Sequence, residues 1–271
     1  FSSANSINWG RVLPQIVYYI SAYCDLLRDE KITQGQAVNV CVPTGNFGNI
    51  LAAYYAREMG LPIDQLICAS NSNNVLTDFI REGVYDRNRT FYNTMSPSMD
   101  ILISSNLERL LLALTQDTAE VAHYMNQLSE TGKYQVGDRV KEKLQRRFKG
   151  YFCDDQETQR VIRAMFEANG YLIDTHTAVA FSALEQYRQE TGDDTPAIVA
   201  STASPFKFCS SVLAALGETS AASGLDALDQ LTARTGQPAP APLAGLRDKK
   251  VRFTQVVEKE HMVDAVRSLL E

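Results

Sequence analysis

The residues best suited to chemistry form a short turn between two apolar runs. A β-branched run ends at Pro43, and a second run, typical of a buried helix, begins at Ile50. The turn itself consists of Gly45, Asn46, Phe47, Gly48 and Asn49. The first N–H groups of a helix lack intrahelical partners and favour anions, while glycine permits close approach of a ligand. The pattern therefore predicts a phosphate cradle at residues 45–49.

The known nucleotide signatures do not fit this turn. A P-loop requires lysine and a hydroxyl residue after its last glycine, whereas Gly48 is followed by Asn49 and Ile50. The dinucleotide pattern needs three glycines, and here Gly45 and Gly48 stand alone. Asp64 precedes the next predicted strand and is badly placed to bind a ribose. The alternative that stays open is a plain structural turn.

Two further polar stretches carry candidate ligand contacts. Thr202 follows a predicted strand, and its hydroxyl can donate to a ring nitrogen or another ligand atom. Capping of the following helix is an equally good interpretation of that stretch. Arg11 lies in the first turn of a predicted helix, near the amides of Asn5 and Asn8, where a guanidinium suits a phosphate or carboxylate. An exposed arginine without a ligand is the plainer alternative.

Other reactive residue types give weaker signals. His176, between two threonines, fits a helix start or a supporting position better than catalysis. Lys207 lies between two phenylalanines, and a surface lysine is a better interpretation than a Schiff-base lysine. Neither a Ser/His/Asp set nor metal-ligand spacing stands out. We therefore assign no catalytic residue and expect no metal.

The periodicity of the chain predicts elements that bring these residues together. A helix is expected to about Arg28, with Pro14 in its first turn or at a kink. A strand at 37–42, a helix at 48–59 and a strand at 65–70 form a βαβ unit, which implies a parallel sheet. Further helices are predicted at 75–82, 138–149, 156–168, 174–188, 206–216 and 257–271, and further strands at 150–153 and 197–201.

Three polar turns follow predicted strands in this α/β arrangement: the cradle, Asn71–Asn74 and Ser201–Ser204. The carboxyl ends of parallel strands meet at one edge, where open α/β sheets bind their ligands. We therefore expect the Asn71–Asn74 turn to lie beside the cradle. Residues 84–149 combine a turn-rich stretch with helical patterns, and we expect them to form a helical insertion.

Composition excludes several classes of function. The 271 residues are 45% hydrophobic and 21% charged, which suits a large core. A net charge of −6 argues against a nucleic-acid partner. The five cysteines are scattered without a C-x-x-C motif, and most of them are interpreted as reduced core residues of a cytoplasmic protein. The apolar runs are shorter than the roughly 20 residues that span a membrane, so no membrane partner is expected.

Five motifs, taken in order, resemble those of threonine synthase in its longer microbial and fungal class. They are Asn5–Arg11, Pro43–Asn49, Ser70–Asn73, Asp174–Ala178 and Ser201–Pro205. The resemblance implies the tryptophan-synthase-β-like fold (fold type II) of enzymes that use pyridoxal 5'-phosphate (PLP). It also implies that Gly45, Asn46, Phe47, Gly48 and Asn49 hold the cofactor phosphate, that Thr202 reaches the pyridine nitrogen, and that Asn5 and Arg11 bind anionic groups of the substrate.

The activity implied by the resemblance is a carbon–oxygen lyase reaction of threonine biosynthesis. O-phospho-L-homoserine and water would give L-threonine and phosphate. The family's Schiff-base lysine lies in an upstream Ser-Phe-Lys-Asp-like segment that these residues lack. The resemblance thus implies a C-terminal part, 1–271, of a longer enzyme, with the N-terminal part as its missing partner, and inactive on its own. A phospholyase that yields a keto acid and a non-catalytic anion-binding or assembly module are the alternatives.

Overall fold

Helices and strands alternate along the chain. The computed structural model describes residues 5–218, 222–252 and 254–269. Its strands are β1 (Val38–Pro43), β2 (Ile63–Ser70), β3 (Val84–Asp86), β4 (Lys133–Gln135), β5 (Phe148–Phe152) and β6 (Ala197–Val199). Its helices are α1 (Trp9–Val12), α2 (Ile16–Arg28), α3 (Gly48–Glu58), α4 (Val75–Glu82), α5 (Leu107–Thr115), α6 (Thr118–Thr131), α7 (Asp138–Arg147), α8 (Asp155–Asn169), α9 (Thr175–Thr191), α10 (Cys209–Ala215), α11 (Gly224–Thr235), α12 (Ala241–Ala244) and α13 (Met262–Ser268). Short 3-10 turns lie at Leu13–Gln15, Pro97–Met99, Pro205–Phe208 and Lys259–His261.

A parallel sheet lies at the centre of the fold. Within the described residues it has four strands in the order β5-β2-β1-β6, and each neighbouring pair is parallel. Cys41 in β1 stands opposite both Ile67 in β2 and Val199 in β6. β3 and β4 pair separately as an antiparallel ladder. The predicted α/β class and the βαβ unit at 38–70 are confirmed.

Helices cover both faces of this sheet. Val40 and Val42 of β1 belong to the same core as Ile50 and Leu51 of α3. Cys41, which points to the opposite face, packs in a core with residues of α9 and donates to the Ala180 carbonyl at 3.1 Å. Parallel strands covered on both sides are apolar along their whole length, and β1 is buried at every residue. Burial on both faces fixes the central strands and therefore the starting points of the loops that follow them.

The predicted buried strand near residue 200 is only half-buried. β6 covers Ala197–Val199, and all three residues have intermediate exposure. The reason is that, among the strands the structure describes, it lies at the edge of the sheet and pairs with β1 alone. Sequence pattern does not distinguish a short apolar edge strand from a central one.

The predicted N-terminal helix is interrupted at Pro14. The 3-10 turn at Leu13–Gln15 separates α1 from α2, because proline lacks an N–H and its ring clashes with the preceding turn of an α-helix. Asn8 caps α1, since its side-chain oxygen accepts the N–H of Gly10 at 2.9 Å. The interruption changes the direction of the chain, so that α1 and the start of α2 reach the loop after β1.

Several predicted boundaries differ from the structure, and the two clearest cases are helices. The helix predicted to residue 149 ends at Arg147, and β5 begins at Phe148, because residues 148–152 pair with β2. The helix predicted at 257–271 is shorter: α13 spans Met262–Ser268, and residues 270 and 271 lie outside the described part. The helical insertion at 84–149 stays a prediction, although this region holds α5, α6 and α7 and also the β3–β4 ladder that periodicity missed.

Candidate functional site

A cavity of about 570 Å³ opens at the carboxyl edge of the sheet, where β1 ends. Its walls come from five places: the loop 43–49, the N-terminal helices, the 3-10 turn at 97–99, the start of α9 and the segment after β6. Gly45, Asn46, Phe47, Gly48 and Asn49 line this cavity together with Arg11 and Thr202. The structure thus brings together seven of the eight predicted site residues, and Asn5 is not among those that line the cavity.

The loop enters α3 through a left-handed residue. Phe47 has φ of 63°, and its buried ring packs against Phe148 with the ring centroids 5.7 Å apart. The first backbone bond of α3 runs from the Leu51 N–H to the Phe47 carbonyl at 3.1 Å. The N–H groups of Gly48, Asn49 and Ile50 therefore precede the intrahelical ladder, at the end of the helix dipole that attracts anions.

The carbonyl groups of the loop are held from the opposite side. The Gly45 carbonyl accepts the Ser104 hydroxyl at 2.8 Å. The Asn46 carbonyl accepts both the backbone N–H of Asn106 at 3.1 Å and its side-chain amide at 2.9 Å. Because C=O and N–H of a trans peptide point in opposite directions, the N–H groups of Asn46 and Phe47 point away from the segment 104–106. The loop is fixed with its donors on one side.

Gly45 is a point of close approach between two backbones. A Cβ atom placed there would lie 2.7 Å from the Ser98 carbonyl oxygen and 3.3 Å from Cα of Met99. Contacts this short force one backbone to move. The absence of a side chain at Gly45 lets the turn 97–99 close one wall of the cavity.

His176 connects that turn to the start of α9. Its Nε2 accepts the N–H of Ser98 at 3.2 Å, and its Nδ1 lies 3.1 Å from Oδ1 of Asp174. Since Nε2 accepts, the proton of the neutral ring is on Nδ1, from which it donates to Asp174. Burial alone would raise the pKa of Asp174, but hydrogen bonds from His176 and Thr177 hold it below its ordinary value. The supporting position predicted for His176 agrees with this geometry.

Thr202 lines the cavity, whereas its neighbours Ser201 and Ser204 make structural hydrogen bonds. Thr202 is exposed and lines the cavity. The Ser201 hydroxyl lies 3.2 Å from that of Thr177, which ties the end of β6 to α9. Ser204 accepts the N–H of Phe206 at 3.3 Å and caps the following turn. The capping interpretation therefore holds for Ser204, while Thr202 faces the cavity.

The N-terminal residues differ in what they contact: Arg11 lines the cavity, Tyr19 binds the loop after β1, and Asn5 forms a turn. Arg11 is exposed, lines the cavity and donates its backbone N–H to the Asn8 carbonyl at 2.9 Å. The Tyr19 hydroxyl donates to the side chain of Asn49, and burial raises the pKa of Tyr19 far above its ordinary value, so this donor stays neutral. Asn5 accepts the N–H of Ile7 at 3.0 Å, which makes it a turn residue. The substrate contacts of Asn5 and Arg11 stay predictions.

The Asn71–Asn74 turn contacts a segment, residues 92–100, that contributes to the cavity. Asn71 and Asn73 are buried, and their amide groups donate to Asp100 Oδ1 at 2.8 and 3.0 Å. They fix the segment 92–100, whose residues Ser98 and Met99 line the cavity. The ends of β1 and β2 are adjacent, since Pro43 stands opposite Ala69 and the Thr44 N–H donates to the Ala69 carbonyl at 2.8 Å, but residues 71–74 do not line the cavity. Sequence reasoning missed Ser98, Met99 and the contact of His176, because these come from a segment without a local pattern.

Lys207 lies away from the cavity. It is exposed, and its ammonium group lies 5.4 Å from the centroid of the neighbouring Phe208 ring. This geometry agrees with a surface lysine. Across the described ranges, no group of three or more His, Cys, Asp or Glu side chains is arranged to bind a metal ion. In the same part of the chain, no helix has the length and apolarity needed to cross a bilayer.

Comparisons with known proteins add the family. A family model described as "Threonine synthase, C-terminal" matches residues 177–269. Threonine synthase of Eremothecium gossypii is 34% identical over 100% of this chain and 52% of its own length. Threonine synthase-like 1 of Homo sapiens is 48% identical over 79% of this chain and 29% of its own. The PLP-bound threonine synthase of Brucella melitensis superimposes with a TM-score of 0.83 at 35% identity, over 98% of this chain and 52% of that one.

The yeast threonine synthase structure agrees equally well, with a TM-score of 0.82 at 32% identity, over 98% of this chain and 53% of that one. The fold is therefore that of the type II class of PLP-dependent enzymes. Within this class, the chain belongs to the threonine synthase family. It spans about half the length of the threonine synthases that it matches.

Proposed function

We propose that these residues form the phosphate-binding and ring-binding part of a PLP-dependent threonine synthase. The whole protein would act as a lyase in threonine biosynthesis, converting O-phospho-L-homoserine and water to L-threonine and phosphate. One observation carries the proposal: residues 45–49, Arg11 and Thr202 converge on a single cavity of about 570 Å³. That volume lies within the range of small-molecule sites.

The loop 45–49 has the donor set that a phosphate group needs. Its carbonyls at Gly45 and Asn46 are occupied by Ser104 and Asn106, while the N–H groups at the start of α3 precede the helical ladder. A helix start with backbone N–H donors is a general phosphate site. The cofactor phosphate therefore fits this loop without a lysine or a metal ion from the loop itself.

Thr202 suits the ring nitrogen of the cofactor. Its neutral hydroxyl can donate a hydrogen bond to a pyridine nitrogen without transferring a full positive charge to the ring. The cofactor, when bound, supplies the electron sink of the reaction. The contribution of Thr202 is to orient the ring and to keep its nitrogen unprotonated.

Arg11 suits an anionic group of the substrate. Its guanidinium is always charged and presents paired donors that match phosphate or carboxylate oxygens. Arg11 and Thr202 are far apart in the sequence, yet both line the same cavity. Asn5 would assist by shaping the turn that leads into α1.

The lysine of the reaction is proposed to come from outside these residues. Within the 271 residues there is no Ser-Phe-Lys-Asp-like segment, and Lys207 does not line the cavity. We therefore expect the chain alone to bind ligands without turning over substrate. The cytoplasmic location of the protein stays a prediction.

Product analysis tests this proposal. The protein expressed from its complete reading frame is loaded with PLP and given O-phospho-L-homoserine. We expect threonine and phosphate in equal amounts, and a loss of both products when Arg11 is changed to Met. A keto acid without threonine would replace the proposal with the phospholyase alternative. Neither product, from a protein that is folded and loaded, would leave a non-catalytic binding module.

A further inference from the structure

The buried His176 has a task that follows from its position between two distant segments. We propose that His176 is a positioning residue, which holds the turn 97–99 against Gly45 and so fixes one wall of the phosphate cradle. The inference rests on the proposed function for the binding of phosphate by residues 45–49. The contact between His176 and the turn does not depend on that function. The plain alternative is a core histidine whose hydrogen bonds are satisfied and whose replacement affects stability alone.

The first link fixes the imidazole ring. Asp174 is fully buried and caps α9, where its carboxylate accepts the N–H of His176 at 2.8 Å and the hydroxyl of Thr177. The same Oδ1 atom lies 3.1 Å from Nδ1 of His176. The ring also packs against Phe208 with a centroid distance of 4.9 Å. A carboxylate that is anchored by a helix start thus sets both the tautomer and the direction of the ring.

The second link fixes the turn. Nε2 of His176 accepts the N–H of Ser98 at 3.2 Å. The turn is short, and local backbone bonds close it from the Met99 N–H to the Ser96 carbonyl at 3.0 Å and from the Asp100 N–H to the Pro97 carbonyl at 3.1 Å. His176 therefore supplies a contact that comes from a different part of the fold and that restrains the turn from outside.

The third link reaches the cradle. The peptide of Ser98 donates its N–H to His176, and the carbonyl oxygen of Ser98 faces the Cα of Gly45 so closely that a Cβ there would lie 2.7 Å away. Ser98, Met99 and Gly45 all line the cavity. A shift of the turn therefore changes the position of the wall that faces residues 45–49.

This chain of contacts requires an acceptor at the place of Nε2. A glutamine side chain can present its amide oxygen at about that distance, whereas asparagine is one bond too short and leucine offers no acceptor. His176→Gln should therefore preserve the link, and His176→Asn and His176→Leu should break it. His123, which is exposed on α6, gives the matched control His123→Leu.

The experiment uses the protein expressed from its complete reading frame and two readouts. Amide hydrogen exchange at Ser98 reports the link directly, and titrations with PLP and with inorganic phosphate report the cradle. The Ser98 N–H loses its acceptor in His176→Leu and His176→Asn, so these variants should exchange Ser98 about ten-fold faster and bind PLP about ten-fold more weakly. His176→Gln and His123→Leu should stay within about three-fold of the parent chain for both readouts.

The outcomes separate this inference from the proposed function. Unchanged exchange at Ser98 in His176→Leu and His176→Asn overturns the inference, whatever the affinity does. Failure of the parent protein, expressed from its complete reading frame, to bind either PLP or phosphate overturns the proposed function, while exchange at Ser98 still decides whether His176 holds the turn. If His176→Leu does not fold, the comparison of glutamine with asparagine decides: equal exchange in these two variants contradicts a role for the acceptor.

Discussion

At the scale of single residues, the site depends on one position without a side chain, Gly45, and one with a left-handed backbone, Phe47. Gly45 allows the Ser98 carbonyl to touch the loop, and Phe47 adopts a left-handed conformation that non-glycine residues seldom take. Phe47 tolerates this conformation because its buried ring packs on Phe148. Strain that is held by surrounding structure is common at ligand-binding loops. Both residues favour a loop that is preformed for its ligand.

A methyl group at Gly45 tests this. In Gly45→Ala the new Cβ meets backbone atoms of Ser98 and Met99, so the turn and the loop must separate. We expect a loss of about 1–3 kcal/mol in the free energy of unfolding, and clearly weaker PLP binding. Urea unfolding and PLP titration measure the two effects.

Gly137→Ala is the matched control for that variant. Nothing lies within 4 Å of a Cβ at Gly137, and its φ of −67° suits alanine. The free energy of unfolding should change by less than about 1 kcal/mol, with PLP binding unaffected. Equal effects of the two substitutions on PLP binding would contradict the role assigned to Gly45.

What the sequence could reveal of the site follows from how each residue acts. The loop 45–49, Thr202 and Arg11 were visible because their types are informative and because they stand at the starts of helices. Ser98 and Met99 were invisible, since they come from a segment without a local pattern. The contact of His176 with Ser98 joins residues 78 positions apart, and no local pattern encodes such a contact.

At the scale of elements, the segment before α5 acts as a brace for the cradle. Asn106 is fully buried, and its side-chain amide donates to the Ser6 carbonyl at 3.1 Å and to the Asn46 carbonyl at 2.9 Å. It thereby joins the N-terminal segment to the loop after β1. This one side chain therefore contacts both sides of the candidate site.

Removal of that brace should cost stability and affinity together. Asn106→Ala leaves two carbonyls without the amide donor, and we expect the free energy of unfolding to fall by about 1–3 kcal/mol and PLP binding to weaken. Asn126→Ala, at an exposed position of α6, should leave both properties nearly unchanged. Thermal unfolding with and without PLP gives the comparison. Loss of stability in Asn106→Ala with full PLP affinity would show that the brace does not shape the cradle.

Asp193 joins β1, α9 and the segment before β6 at the opposite end of the sheet from the cavity. Its carboxylate accepts the amide of Asn39 in β1 at 2.8 Å, the backbone N–H of Thr195 at 2.9 Å and the hydroxyl of Tyr187 in α9. Burial alone would raise the pKa of Asp193, but the hydrogen bonds from these three residues hold it well below its ordinary value. The ionised carboxylate is therefore the form that the fold prefers.

The pH dependence of unfolding tests that preference. The folded pKa lies below the unfolded value of about 3.9, so the carboxylate contributes stability fully at neutral pH and loses it as pH falls below about 4. We expect Asp193→Asn to lower the urea midpoint at pH 7 and to differ less from the parent at pH 3. The exposed neighbour variant Asp194→Asn should match the parent at both values. A gap for Asp193→Asn that widens in acid would contradict this assignment.

The elements themselves were largely predictable. The helix at 75–82 matches α4, and Asp154 and Asp174 cap the helices that follow them, as their types suggest. Periodicity failed where tertiary pairing decides. Lys149 continues the basic pattern of α7, yet it lies in β5 because Ile67 of β2 stands opposite it.

At the scale of the whole molecule, the cavity exists because distant parts of the chain meet at one edge of the sheet. Arg11 lies near the start of the described residues, the loop 45–49 follows β1, and Thr202 follows β6. The strand order β5-β2-β1-β6 puts β1 and β6 side by side, so the loops that follow these two strands are neighbours. The sequence could predict that strand ends meet, but the order of strands, which decides the neighbours, came from the structure.

The most direct test of the central claim is a crystal structure of the chain soaked with PLP. We predict that the phosphate group lies within hydrogen-bond distance of the N–H groups of Gly48 and Asn49, and that the ring nitrogen faces the hydroxyl of Thr202. Electron density for PLP elsewhere, or a well-ordered loop at 45–49 with neither PLP nor an anion bound, would contradict the account.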